Sequence, residues 1–248
     1  MLKEIGNKRL YETLCKVLDA LRKEAPSTNK AYHSPASNND ALIQARSRAL
    51  LHLFLKARFG LTRFDDRERL VTDGPHDGGV DAYYIDRREK LIYVLQSKFR
   101  ATPANFVSSN MSSIDLLKMD VSRILRGLTQ DESGNLYNER IRNGLQRAVQ
   151  KLQDVGSYTA KVLLLGNSKK FSVGDLKKLV SGYVVEQFPH ERIYRELLFP
   201  VINGTYFTDP NLTIEISLAN LKGDSHLNYD VRAGARQGSC RLVHAANG

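Results

Sequence analysis

The chain has 248 residues, 42% of them hydrophobic, which suits one large domain with a sizeable core and excludes disorder throughout. Thirty-seven Lys and Arg against 27 acids leave a net charge of +10, which favours a polyanionic partner. Cys15 and Cys240 lie far apart with no ligand cluster around either, which excludes a disulfide framework and argues against a zinc site. Reduced thiols in a soluble, cytoplasmic protein are the expectation. The N-terminal stretch lacks the apolar core of a signal peptide and no stretch approaches membrane-spanning length, so no membrane association is expected.

In chain order, Leu10, Leu14, Val17, Leu18 and Leu21 recur at helical spacing and predict a helix over residues 2–24. A connector rich in Pro, Ser and Asn follows at 25–40. A second helix is predicted from about Asp40 to Phe59, capped by Asn39 or Asp40 and stopped by Gly60. Strands are then predicted at 68–73, 79–86 and 90–98, the last being the clearest, "KLIYVLQSK". Helices are expected at 113–127 and 138–154. The continuous apolar run "AKVLLLG" (160–166) predicts a strand buried on both faces. A helix at 173–187 and a strand at 211–217 complete the order, a mixed α/β arrangement rather than a Rossmann repeat. Residues 194–207 read as core or interface without chemistry. Three regions are expected: an N-terminal helix and connector (1–38), the main domain (39–220) and a tail (221–248) that has lost apolar periodicity and reads as a loose end or the start of something cut off.

The segment "TDGPHDGGVDAYYIDRREKLIYVLQSKFR" (72–100) places Asp, Gln and Lys on apolar strands. A four-residue turn, Arg87 to Lys90, pairs Asp86 with Leu91, and that register puts Asp81 opposite Gln96. Gln96 and Lys98 share a face because strand period is two. One carboxylate, one amide and one ammonium are thereby gathered. Asp81 and the Gln96 oxygen can hold a hard cation such as Mg²⁺, and Lys98 can orient a water or stabilise charge on a phosphate. Gly78 and Gly79 are expected to let backbone approach a bulky substrate. "NSKKFSVGDLKK" (167–178) offers Lys169 and Lys170 to a phosphate, and Arg100, just past the strand, is grouped with them as nucleic-acid-binding.

These residues resemble the core of PD-(D/E)XK nucleases. More narrowly, they resemble the N-terminal nuclease domain of AIPR (abortive infection phage resistance) proteins and Mrr-like restriction enzymes, which carry D-G-x-x-D-G-G-[IV]-D followed by Q-x-K. The resemblance implies a restriction-endonuclease-like mixed central sheet flanked by helices. It implies a Mg²⁺- or Mn²⁺-dependent endonuclease, acting on DNA rather than RNA, in antiviral or restriction-type defence. Asp81 would be the metal-binding aspartate, Gln96 would replace the usual glutamate, the Ser97 carbonyl would be a further ligand and Lys98 the catalytic lysine. A homodimer is compatible with cutting both strands. The family often adds a Glu or Gln on the preceding helix; here helix 40–59 has no Glu, Gln44 and His52 are the remote substitutes, and Asp77 or Asp73 is left to supply the second acid. The alternative is a catalytically degenerate nuclease-fold module that binds nucleic acid or a partner protein.

Overall fold

The computed structural model describes residues 2–33 and 38–205. The strand expected at 211–217, the tail at 221–248, and Cys240 lie outside the described residues.

Helix α1 (Leu2–Arg22) buries Tyr11, Leu14, Cys15, Leu18 and Leu21 along one stripe, with Leu10 and Val17 packed beside it. It lies against α2 (Asn39–Phe59), whose cap is Asn38, one residue earlier than expected: its side chain accepts the Ala41 N–H at 3.0 Å. Gly60 ends α2 in the left-handed conformation, φ 67°, as the sequence predicts. From Ala49 to Leu55 every residue of α2 is buried, which fits a helix sandwiched between α1 and a sheet.

The sheet has four strands in the order β1 (Ala82–Asp86), β2 (Leu91–Ser97), β3 (Thr159–Leu165) and β4 (Val184–Phe188). The β1–β2 pair is antiparallel, and β2–β3 and β3–β4 are parallel. Asp86 pairs with Leu91 as predicted, and the Asp86 carboxylate fixes the turn by accepting the Arg88 and Glu89 N–H groups, each at 3.0 Å. Ala82, Tyr93, Leu95, Leu163, Leu165 and Phe188 face one core with α1 and α2. Tyr83, Ile92, Val94, Val162 and Leu164 face a second core on the other side. The sheet is therefore buried on both faces, in a three-layer α/β arrangement.

The second face is covered by short helices: α5 (Ser113–Leu117), α6 (Val121–Leu125), α7 (Arg140–Gln146 π-wound, continued by Arg147–Gln150) and α8 (Val173–Leu179), with α4 (Pro103–Ser108) leading into them. The helix expected at 113–127 is thus two helices, broken around Lys118–Asp120. The helix expected at 173–187 is also divided: Ser181 (φ 56°) and Gly182 (φ 88°) turn the chain, and 184–188 pairs with β3 instead. The "SG" dipeptide was the signal for that break. The strand expected at 68–73 is a correction too. Helix α3 (Phe64–Glu68) occupies its start, and only Val71 bridges, to Ala82. The final described helix, α9, runs without interruption through His190–Arg192, Ile193–Leu198 and Phe199–Asn203, and buries Ile193, Tyr194, Leu197 and Leu198 against the first core. That accords with a packing role for 194–205.

A polar knot ties α2 to α3. Glu68 accepts from the Tyr32 hydroxyl, from His52 Nε2 at 3.2 Å and from Arg140 Nη2 at 2.9 Å. Burial opposes its charge, but these donors prevail and bring the Glu68 carboxyl down to about 2. Burial also lowers the His52 imidazole, against its bond to Glu68. A depressed carboxylate contributes stability that is complete above its unfolded value near 4.5 and is lost as pH falls toward 2. Glu68→Gln is expected to lose on the order of 3 kcal/mol at pH 7 and to flatten the acid limb between about pH 4.5 and 2. Urea denaturation of both proteins across that range checks it; superimposable acid limbs would contradict it.

Candidate metal centre

The loop from Thr72 to Asp81 is closed by its own side chains. The Thr72 hydroxyl donates to the Val80 carbonyl, and the Thr72 and Asp73 N–H groups donate to the Asp81 carbonyl at 2.8 and 3.0 Å. Asp77 accepts the Gly74 N–H at 3.1 Å and the Gly79 N–H at 2.8 Å, one on each carboxylate oxygen. Gly78 and Gly79 have φ of 62° and 70°, where a side chain is strained. Both glycines make close contacts within the chain. Gly78 O accepts the Asp120 N–H at 2.8 Å, and a Cβ on Gly79 would meet the Lys118 carbonyl at 2.9 Å.

The predicted ladder register holds from Ala82 to Asp86 and changes at Asp81. Ala82 pairs with Leu95, yet the Asp81 N–H also bonds the Leu95 carbonyl, at 2.8 Å, so two residues oppose one. The alternation shifts with it: Val80 joins the same core as Tyr83 rather than that of Ala82. Asp81 therefore does not simply face Gln96. Its carboxylate reaches the next residue along and accepts the Ser97 N–H at 2.6 Å.

Gln96 and Lys98 meet on one residue that sequence reasoning did not single out, Asp115. Gln96 Nε2 donates to the Asp115 carbonyl at 2.9 Å, and Lys98 Nζ lies 3.4 Å from Asp115 Oδ1. Asp115 is itself fixed in a capping box: its N–H donates to Ser112 Oγ and its Oδ2 accepts the Ser112 N–H. The Ser112-x-x-Asp115 spacing was the available signal, though it predicts a helix start and not a partner for Lys98. Burial raises the Asp115 carboxyl, but the Ser112 bonds and Lys98 outweigh it and hold it below the usual range. With its amide nitrogen tied to Asp115, Gln96 keeps Oε1 buried and without a hydrogen-bond partner. Ser97 Oγ is buried and unpartnered as well.

Asp73, Asp77 and Asp81 each present a carboxylate oxygen within 4.8 Å of the others. Burial pushes Asp81 well above the carboxylate range, and the Asp77 and Asp73 charges add to it, against the Ser97 N–H and Lys98. Burial likewise raises Asp77, against its two loop N–H bonds. Negative charge is thus concentrated where it is poorly solvated, a condition a cation relieves. The donors are all oxygens, the choice of a hard divalent ion. The cluster can therefore coordinate a divalent metal.

The residue that α2 sends toward this cluster is neither Gln44, which is exposed, nor His52, which is buried with Tyr32 and Glu68. It is Arg48: its Nε donates to Asp73 Oδ2 at 2.9 Å and its Nη2 to the Asp73 carbonyl at 3.3 Å. The basic residues expected to touch nucleic acid make contacts within the chain. Lys169 pairs with Glu191 at 2.5 Å, Lys170 lies over the Phe171 ring, and Arg100 Nη2 donates to the Asn110 carbonyl at 3.1 Å. Among the described residues, no helix is long and apolar enough to cross a membrane.

An α/β fold carrying an acidic, oxygen-donor cluster able to hold a divalent metal is the class that fold and site define. No family model matches the chain, and no curated protein or solved structure matches it.

Proposed function

We propose that this chain is a divalent-metal-dependent nuclease of the restriction-endonuclease-like type, hydrolysing DNA phosphodiester bonds in the cytoplasm in defence against foreign DNA. The observation that carries this reading is the convergence at one end of the β1–β2 hairpin: Asp81 on the Ser97 N–H, Gln96 and Lys98 on Asp115, and a buried Gln96 oxygen with no partner. The motif resemblance at 72–100 and the mixed sheet with helices on both faces support it. The net charge of +10 supports a nucleic-acid partner.

In this reading Asp81 and Asp77, with Asp73, the Gln96 amide oxygen and the Ser97 carbonyl, hold Mg²⁺ or Mn²⁺. The bound ion supplies Lewis-acid polarisation of the phosphate and lowers the pKa of a coordinated water. The Lys98 ammonium holds the attacking water in line and offsets charge developing on the phosphate oxygens. Asp115 holds Lys98 and Gln96 in place, and the Asp81–Ser97 bond fixes the carboxylate.

The Arg48–Asp73 ion pair favours a second reading, a nuclease fold that binds nucleic acid and no longer cuts. A cleavage assay on plasmid DNA, linear duplex and RNA separates them. Cleavage is expected with Mn²⁺ or Mg²⁺, none with chelator, and a loss of about a hundredfold or more in Lys98→Ala with DNA binding kept. DNA binding by a wild type that cuts nothing under either metal would discard the enzyme and leave the binding module.

A further inference from the structure

A cation already sits at the acidic cluster, and it belongs to the protein. Arg48 reaches Asp73 with two donors, one to the carboxylate and one to the backbone carbonyl of the same residue. The pair is only partly buried, with 22% of the Arg48 and 36% of the Asp73 side chain accessible, so water and ligands can reach it. Among the described residues neither of the other two acids of the cluster makes a salt bridge: Asp77 accepts loop N–H groups, and Asp81 accepts the Ser97 N–H and feels Lys98 only through space. Arg48 is fixed on a rigid element, between the buried Ala45 and Ala49 of α2, so the direction of its stem is set while its end can turn.

We propose that Arg48 is an exchangeable counter-ion: it occupies Asp73 when the metal is absent, is displaced when a divalent ion takes the cluster, and then clamps a phosphate of the substrate. This rests on the metal site proposed above. Two cations compete for one carboxylate, and a divalent ion concentrates more charge on it than a guanidinium does. Released, the guanidinium fork matches a phosphate in shape and charge better than a lysine would. Metal binding and phosphate binding are thereby coupled through one side chain, without a hinge or lid.

The test is a Mn²⁺ titration followed by electron paramagnetic resonance, on wild type, Arg48→Ala and Arg48→Lys, with melting curves to check folding. Arg48→Ala is expected to bind Mn²⁺ about tenfold more tightly than wild type, because a competing charge a few ångströms away is gone. Arg48→Lys keeps the charge and is expected to stay near wild type. If Arg48→Ala is poorly folded, Arg48→Gln, which keeps most of the stem, replaces it with the same expectation. A second arm measures binding of a short DNA duplex with Ca²⁺ or with chelator: Arg48→Ala is expected to weaken it several-fold with Ca²⁺ and hardly at all with chelator. Equal or weaker Mn²⁺ binding by a folded Arg48→Ala overturns the proposal while leaving the metal site standing. A wild type that binds no Mn²⁺ removes the metal site and the Arg48 proposal together.

Discussion

Asp81→Asn is expected to weaken divalent-metal binding by roughly a hundredfold or more and to abolish metal-dependent cleavage, while the apo protein becomes more stable at neutral pH. The substitution keeps the shape. An asparagine Oδ1 can still accept the Ser97 N–H now bonded to the carboxylate at 2.6 Å, so the end of β1 has no reason to move. What is lost is one negative charge at a cluster whose function is to attract a cation. The gain in stability follows from sign. Asp81 is raised well above its ordinary value, first by burial and then by its acidic neighbours. A raised carboxyl contributes stability that is complete below its unfolded pKa and is lost as pH rises through the folded one. At pH 7 wild type bears that loss and the asparagine variant does not. Melting temperatures without metal, from pH 4 to pH 8, should separate the two proteins increasingly toward high pH. Added Mn²⁺ should raise wild type alone. An asparagine variant less stable than wild type at pH 8 without metal would show that the carboxylate is there to hold the loop.

Gly79→Ala is expected to cost roughly 2–4 kcal/mol of folding stability. The left-handed φ of 70° strains any side chain, and the added Cβ would lie 2.9 Å from the Lys118 carbonyl and 3.0 Å from the Met119 nitrogen. Both contacts are backbone, so neither yields by a rotamer change. Gly134→Ala is the control, with φ 83° but nothing within 4 Å, and should cost only about 1 kcal/mol. Because Gly79 N–H also holds Asp77 Oδ1, the same substitution should loosen the metal cluster. Urea denaturation of both variants measures the difference; equal losses would mean that the loop's seat on the α5–α6 junction carries no weight.

The parts of this fold legible in the sequence are those governed by local pattern. The α2 stop at Gly60, the even turn before Leu91 and the doubly buried β3 follow from residue types a few positions apart. The sharing of one face by Gln96 and Lys98 follows from strand period. What escaped depends on distant partners. The break of register at Asp81 arises because its N–H and Ala82 compete for Leu95, which no spacing within the strand reveals. Asp115 enters the site because α5 is folded back over the sheet, 17 residues past Lys98. Arg48 is one of several basic residues on α2, and only the packing of α2 beside the 72–81 loop brings it to Asp73. That Gly79 sits against the chain's own Lys118–Met119 backbone is likewise set by a distant partner. β4 was hidden because "VVEQF" is short and follows a helix, so propensity alone ran the helix through it.

The central claim is that a divalent metal binds where Asp73, Asp77 and Asp81 converge. The most direct measurement is the anomalous signal of Mn²⁺ in crystals grown or soaked with it. The account predicts one strong peak within coordination distance of Asp81 and Asp77, with the Gln96 Oε1 turned to it and Arg48 withdrawn from Asp73. Saturating Mn²⁺ that leaves the Arg48–Asp73 pair in place and the three carboxylates without a peak would contradict it.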